Sequence, residues 1–324
     1  MRILVTGATG YLGRSIVRAC QRAGHETLAF SRSAAGAGLP GEAMDGDVRD
    51  LERVREAVSG CDAICHSAAL VAVWRRRAAD FDDVNVGGLR NVLQAAVAFG
   101  IQRIVYTSSF LALPPAGAAA PGCWNDYQRT KVLADRLAAE AVSDGVPVTL
   151  LYPGVMFGPG AMTDGNLVGR SIADHLAGRL PGVLGANRTW SFAWVDDVAA
   201  AHVAALEQAP PGERFSLGGE NLPQMTIFHA LHELTDRPLP RRIPASLAVL
   251  AAGAYQLRAA LTRRPPLLTV GTVEILQRDW PMDSSRAIRE LGYHVTPLRE
   301  GVRRIVETIV GPTSRRSEDG TPRG

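Results

Sequence analysis

A chain of 324 residues, 46% of them hydrophobic and 21% charged, carries enough apolar material to bury a core of domain size, which excludes a fibrous or wholly disordered protein. Its formal net charge of +3 is small and its Lys and Arg residues are scattered, so neither a nucleic-acid footprint nor attraction to an acidic membrane is expected. Four cysteines, Cys20, Cys61, Cys65 and Cys123, lack CxxC spacing, which argues against a disulfide scaffold and for reduced thiols in a cytoplasmic protein.

The opening MRILVTGATG has no signal-peptide core, and the apolar run Ile3 to Thr6 predicts a strand ending at a glycine turn. Tyr11 to Ala23 has helical spacing and stops at Gly24. Glycines at 7, 10 and 13 therefore lie between a strand and a helix, the context in which such a triplet binds a dinucleotide. Gly7 permits the tight turn, Gly10 the approach of a pyrophosphate and Gly13 close helix packing, while the helix N-terminus attracts the anion. A second strand, Thr27 to Phe30, ends in Phe30-Ser31-Arg32-Ser33, without the acidic residue that would hold a ribose 2′-hydroxyl. Arg32 can instead pair with a 2′-phosphate, so NADP(H) is favoured and NAD(H) is the alternative; a plain surface arginine is the competing reading.

Helices are expected at Leu51 to Val58, Val84 to Phe99 and Tyr127 to Ser143, and strands at Ala63 to His66, Arg103 to Thr107 and Val148 to Tyr152. This alternation predicts an α/β fold, a Rossmann-type doubly wound parallel sheet with helices on both faces. Beyond Pro153 the breakers Gly158-Pro159-Gly160, Pro181-Gly182, Pro210-Pro211 and Pro265-Pro266 punctuate shorter pieces, as in a smaller C-terminal substrate-binding domain. The dinucleotide-binding part is expected over 1–151 and about 187–219, the substrate part over about 152–186 and 220–310. Ala245 to Leu261 is apolar but short of a ~20-residue span and interrupted by Gln256 and Arg258, so it is expected to be a buried helix. From Gly311 the polar tail 311–324 is expected to be disordered.

Tyr127 and Lys131, four residues apart on a helix, share a face, and the ammonium favours the phenolate of a tyrosine that could exchange a proton. Ser109 and Ser108 close a strand at the carboxyl edge of the sheet, where ligands bind, and a serine hydroxyl there can polarise a carbonyl. Asp196 and Asp197 precede the helical run VAAAHVAALE and read as helix caps rather than as acid and base. His66 and His202 lack the clustering a metal site needs.

Taken in order, GATGYLG, Asp47 in GDVRD, HSAAL at 66–70, NVGG at 85–88, YTSS at 106–109, YQRTK at 127–131, YPGVMFGPG at 152–160 and WVDDVA at 194–199 resemble the extended short-chain dehydrogenases/reductases, the NAD-dependent epimerase/dehydratase family. The likeness runs to about residue 310 and is greatest to the branch of dihydroflavonol-4-reductase and 3β-hydroxysteroid dehydrogenase. It implies a catalytic set of Ser109, preferred to Ser108 because the family's reactive serine closes its run, with Tyr127, Lys131 and Asn85. Asn85 would stand near the catalytic helix, or cap a helix. The resemblance further implies a cofactor pocket made by Gly7, Thr9, Gly10, Tyr11, Leu12 and Gly13. Ser31, Arg32, Asp47, Val48, Ala68, Ala69, Thr107, Ser108, Tyr127 and Lys131 would complete it, with Pro153, Gly154 and Val155 at the nicotinamide carboxamide. Asp47 would meet the adenine amine and Ala68 form a wall. A homodimer through the Val84 and Tyr127 helices is compatible with it.

Dehydratases of this family need a further acid and base after the strand serine, whereas Phe110 to Asn125 contains no carboxylate. The segment FLALPPAGAAAPGCW instead suits a hydrophobic small-molecule ketone, reduced or formed by hydride transfer. A sugar-nucleotide epimerase or reductase, with Arg170, Arg179 or Arg188 on a diphosphate, is the second expectation. A non-catalytic NADP sensor, which would not need the Tyr/Lys pair, is the third.

Overall fold

The computed structural model describes residues 1–311; the expected disordered tail lies, but for Gly311, outside the described residues. The first half of the chain runs β1 (Arg2–Thr6), α1 (Tyr11–Arg22), β2 (Glu26–Ser31), β3 (Glu42–Asp45), α2 (Leu51–Val58), β4 (Ala63–His66), α3 (Ala79–Asp82), α4 (Gly88–Ala98), β5 (Ile104–Thr107), α5 (Asp126–Ser143) and β6 (Val148–Pro153). It continues through β7 (Val155–Phe157), α6 (Leu167–Leu176), β8 (Val183–Leu184), β9 (Thr189–Trp194), α7 (Val195–Gln208), β10 (Arg214–Leu217), β11 (Glu220–Pro223) and α8 (Thr226–Thr235). The last elements are β12 (Arg242–Ile243), α9 (Ala245–Thr262), α10 (Val270–Leu276), α11 (Ser285–Leu291) and α12 (Leu298–Val310).

Seven strands form the expected parallel sheet, ordered β10-β6-β5-β4-β1-β2-β3. From β1 the chain winds outward to β2 and β3, then returns to β4 on the other side, so the strand order reverses between β1 and β4. Ligands bind at the carboxyl ends of strands beside such a reversal. Ile16, Val17, Val198 and Leu206 pack one face of the sheet, and Val54, Leu89, Val92 and Ala134 the other. Both ends of the sheet escaped sequence reading: β3 is a short edge strand of sequence EAMD without an apolar alternation, and β10 lies among prolines.

Three features differ from expectation. The helix expected over Val84 to Phe99 is not uniform; Asp83–Gly87 forms a π-turn between α3 and α4. Strand β9, assigned with the dinucleotide part, pairs with β7 and β11 in a separate three-stranded sheet, while α7 and β10 directly after it return to the large one. Helix α9 is present where expected but is not buried. Its small residues Ala248, Ala252 and Ala259 face inward, and its leucines face out.

Packing at the first turn leaves no room for side chains. Gly7 has φ +68°, and a Cβ there would lie 2.7 Å from Ala68 Cα, so the turns after β1 and β4 touch across the strand reversal. A Cβ on Gly13 would lie 2.1 Å from the Gly7 carbonyl oxygen, with backbone on both sides of the clash. Gly13→Ala is therefore expected to destabilise the cofactor-free protein by about 1–3 kcal/mol or more, read as a shifted urea midpoint; an unchanged midpoint would contradict this packing.

Candidate active site

At the carboxyl edge of the large sheet, β5 runs into Ser108 and Ser109, and two local caps hold the following segment. The Ser109 side chain accepts the Leu111 N–H at 3.2 Å, starting a 3₁₀ turn over Phe110–Ala112. The Asn125 side chain accepts the Gln128 N–H at 2.8 Å and starts α5. Buried Gln128 donates to the Leu111 carbonyl at 3.2 Å, tying the two caps together. Tyr127 lies in the first turn of that helix. Burial pushes its phenol up to about 12, and the neighbouring Ser109 hydroxyl works in the opposite direction. Ser108 is turned elsewhere and donates to Asp135 at 2.7 Å. Of the two serines, Ser109 is the one associated with the phenol.

Lys131 is only 4% exposed, and its Nζ donates to the Thr107 carbonyl at 2.9 Å. Burial brings its pKa down to about 8, with the Asp135 carboxylate acting against the shift. An ammonium has three donors, and Thr107 takes one; among the described residues no other hydrogen-bond acceptor is within reach. Nearby His66 shares a hydrogen with Thr6 Oγ1 through Nδ1, while its buried Nε2 has no protein partner. Burial first, and the Lys131 charge second, lower its pKa to about 3, so the ring is neutral at pH 7. His202 is spanned by Val198 O and Thr107 Oγ1. Among the described residues no cluster of His, Cys, Asp or Glu could hold a metal.

Asn85 occupies the π-turn and caps nothing. Its Oδ1 accepts the Leu70 N–H at 2.6 Å, and its Nδ2 donates to Thr130 Oγ1 at 2.9 Å, so it clamps the turn after β4 to the helix of Tyr127 and Lys131. Arg129 adds a second clamp, a bidentate pair with Asp82 at 2.7 and 2.6 Å.

The glycine turn has the form of an anion cradle. No side chain caps α1, which leaves the amide N–H groups of its first turn, at Tyr11, Leu12 and Gly13, directed into the space above β1. Gly10 N–H closes the turn on Gly7 O at 2.8 Å, and the Tyr11 hydroxyl is buried without a partner. Thr9 Oγ1 donates to Ser31 Oγ at 3.1 Å, which joins the turn to the end of β2. Arg32, beyond it, is exposed and makes no ion pair among the described residues. Asp45, in register with Ser31, accepts the Ala35 N–H at 2.9 Å and so holds the loop after Arg32. Asp47 behaves as a turn residue: Arg49 engages both its oxygens, at 3.0 and 2.6 Å, and holds its pKa below the usual carboxylate range. Val48 packs against Gly88, and Ala68 and Ala69 lie in the turn facing Gly7. The Gly154 N–H, between Pro153 and Val155, is already donated to Leu217 O at 3.0 Å.

Other candidates fall away from this edge. Trp194, not an aspartate, is the N-cap of α7; Asp196 instead accepts from Ser15 on α1 at 2.8 Å, and Asp197 from the Thr296 N–H at 2.7 Å. These cross-links correct the capping expectation. Arg170, Arg179 and Arg188 are each paired, with Asp164, Asp174 and Asp279. A hollow of about 290 Å³ lined by Arg103, Pro147 and Pro210 lies at the opposite, amino end of the sheet. Asp135 was missed by sequence reading although its spacing, four residues after Lys131, places it on the same helical face. Asp45 gave no such signal, because only strand register brings it beside Ser31.

An aromatic wall stands next to Tyr127. Phe110 lies 5.3 Å from the Trp280 ring and 6.1 Å from Trp190, Trp124 lies 6.3 Å from Trp280, and the Arg278 guanidinium lies 4.1 Å from the Trp124 centroid. Both indole N–H groups of Trp190 and Trp280 are satisfied by backbone carbonyls, so these two offer ring faces rather than donors, while the buried Arg278 Nε has no partner among the described residues.

Comparison with known proteins places the chain in a family. The model of the NAD dependent epimerase/dehydratase family matches residues 3–218. Sterol demethylase protein B of Methylococcus capsulatus is 36% identical over 92% of this chain and 95% of its own length. The 2-alkyl-3-oxoalkanoate reductase of Stenotrophomonas maltophilia is 29% identical over 94% of this chain and 98% of its own. The crystal structure of gox2253 superposes with a TM-score of 0.80 at 26% identity, covering 96% of this chain and 99% of that one. The chain belongs to the NAD dependent epimerase/dehydratase family, the extended short-chain dehydrogenases/reductases, and is an NAD(P)-dependent enzyme of that family.

Proposed function

We propose that the protein is an NADP(H)-dependent oxidoreductase that interconverts a ketone and an alcohol on a hydrophobic small molecule. The observation that carries this reading is the association of Ser109 with the Tyr127 phenol beside a buried Lys131 and an aromatic wall. The uncapped first turn of α1 would hold the pyrophosphate, Lys131 a ribose and Arg32 a 2′-phosphate. When bound, the cofactor supplies or accepts a hydride at the substrate carbon. Ser109 would orient the carbonyl oxygen and Tyr127 deliver its proton, while the Lys131 charge stabilises the phenolate that remains. Asn85, Gln128 and Asp135 position these groups without touching substrate.

Two relatives are named for a sterol and for 2-alkyl-3-oxoalkanoates, both carrying extended apolar skeletons, which favours a lipophilic substrate. A sugar nucleotide fits less well: the wall beside Tyr127 is aromatic, and a diphosphate at Arg170, Arg179 or Arg188 would displace an existing carboxylate. A sensor without turnover would have no use for a buried lysine one helical turn from a half-buried tyrosine.

Tyr127→Phe is expected to lower turnover of apolar ketones by about 10²–10⁴ while NADPH still binds, followed by reduced-nicotinamide absorbance and by fluorescence titration; retained turnover would refute the assignment. Arg32→Glu should shift the kcat/KM ratio from NADPH toward NADH by about 10–100-fold, and an unchanged ratio would remove Arg32 from the cofactor site. The pH profile supplies a third check. Reduction leaves a phenolate that needs the Lys131 cation, so its rate should fall as pH rises through about 8, where Lys131 loses its proton. Lys131→Arg, which keeps its charge, should move that limb upward if any activity survives, and a wild-type profile flat well above this pH would speak against the role.

A further inference from the structure

Net charge averaged over the chain conceals a local concentration. Residues 237–273 contain six arginines, Arg237, Arg241, Arg242, Arg258, Arg263 and Arg264, and no Asp, Glu or Lys. None of the six forms an ion pair among the described residues. Along α9 in the same segment, Leu247, Leu250, Leu257 and Leu261 are 59%, 74%, 64% and 78% exposed, and Leu267 just beyond is 76% exposed. Positions 247, 250, 254, 257 and 261 follow each other by three and four residues, so these leucines, with Ala254 between them, form one stripe. The inward residues Ala248 and Ala252 pack on Leu184 and Val273, so the helix is anchored through one face while its larger apolar side chains face outward.

We propose that α9 with its flanking arginines docks in the surface of an anionic lipid bilayer, the leucine stripe seated at the acyl boundary and the arginines at lipid phosphates. Charge decides among the occupants. A second copy laid against the stripe would bring the arginines at either end of α9 near those of its partner with no acid in the segment to offset them, whereas anionic lipid matches their sign. Residues 312–324 contain no Leu, Ile, Val, Phe, Met or Trp to set against the leucines. Among the described residues no helix is long and apolar enough to cross a membrane, so the contact is parallel to the surface. Behind α9, α10 brings Gly271 so close to the Trp124 carbonyl that a Cβ would lie 1.9 Å from it, and Trp124 directly precedes the cap of the Tyr127 helix. Helix α10 thus stands between the inner face of α9 and the aromatic wall, which would bring a bilayer-bound molecule close to a source of lipophilic ketone; that consequence rests on the function proposed above, and the docking does not.

The test is sedimentation of the full chain with phosphatidylcholine vesicles, with and without phosphatidylglycerol. Binding is expected on the anionic vesicles, weakened by salt, and reduced about tenfold or more both in Leu250→Gln/Leu257→Gln/Leu261→Gln and in Arg258→Gln/Arg263→Gln/Arg264→Gln. The substituted side chains face outward, so circular dichroism and thermal midpoints should remain those of the parent. No sedimentation with either vesicle, or binding insensitive to both variants, would overturn the proposal. So would a dimer in light scattering that the leucine variant alone dissolves without any vesicle binding, which would give the face to a second copy. Failure to reduce any ketone would remove the functional reading and leave the vesicle result standing.

Discussion

A buried ammonium sets the terms for the rest of the structure. Lys131 sits on the interior side of α5 with little access to water, and an unpaired charge in such a place costs several kcal/mol. Its partner is the carbonyl of Thr107, the last residue of β5, so helix and sheet must meet at that spot for the charge to be tolerated. The clamps around it serve the same junction. Gln128 fixes the start of α5 to the turn after β5, Asn85 fixes its Thr130 to the turn after β4, and Asp135 draws in Ser108. Through Gly7 and Ala68 the glycine turn is in direct contact with one of these same loops.

That junction divides polar from apolar with little overlap. Toward the glycine turn lie hydroxyls, unpaired donors and the free first turn of α1; toward Trp124, Trp190 and Trp280 lie ring faces, with the N–H groups of the last two satisfied. A molecule with a charged half and a molecule with a single carbonyl on an apolar skeleton could each be accommodated, on opposite sides of Tyr127 and Ser109. Neutral His66 beneath adds no second charge to the interior, since Lys131 itself disfavours one there.

Much of this was legible in the chain because it is local. The strand, turn and helix around Gly7, the four-residue spacing of Tyr127 and Lys131, and the alternation of elements depend on neighbours in sequence, and the structure has them where expected. What could not be read depends on register or on averaging. Asp45 reaches the end of β2 only by strand pairing, and β3 carries no apolar pattern because it is an exposed edge. Asp196 and Asp197 looked like caps but are spent on Ser15 and Thr296, partners remote in sequence. For α9, apolar composition implied burial; hydropathy cannot tell which of two faces is covered when the inner one is built from alanine. Its arginines vanished into a nearly neutral total.

The π-turn at Asp83–Gly87 limits how this enzyme can change length. In an α-helix each residue advances by about 100°, so removing one residue from the wider turn would rotate Phe81 on one side against Leu89 and Val92 on the other, although both groups are buried. It would also swing Asn85 off Leu70 and Thr130 at once. Insertions and deletions between β4 and β5 should therefore gather in the irregular stretch 71–77, leaving 79–98 of constant length in proteins that retain both the clamp and the core.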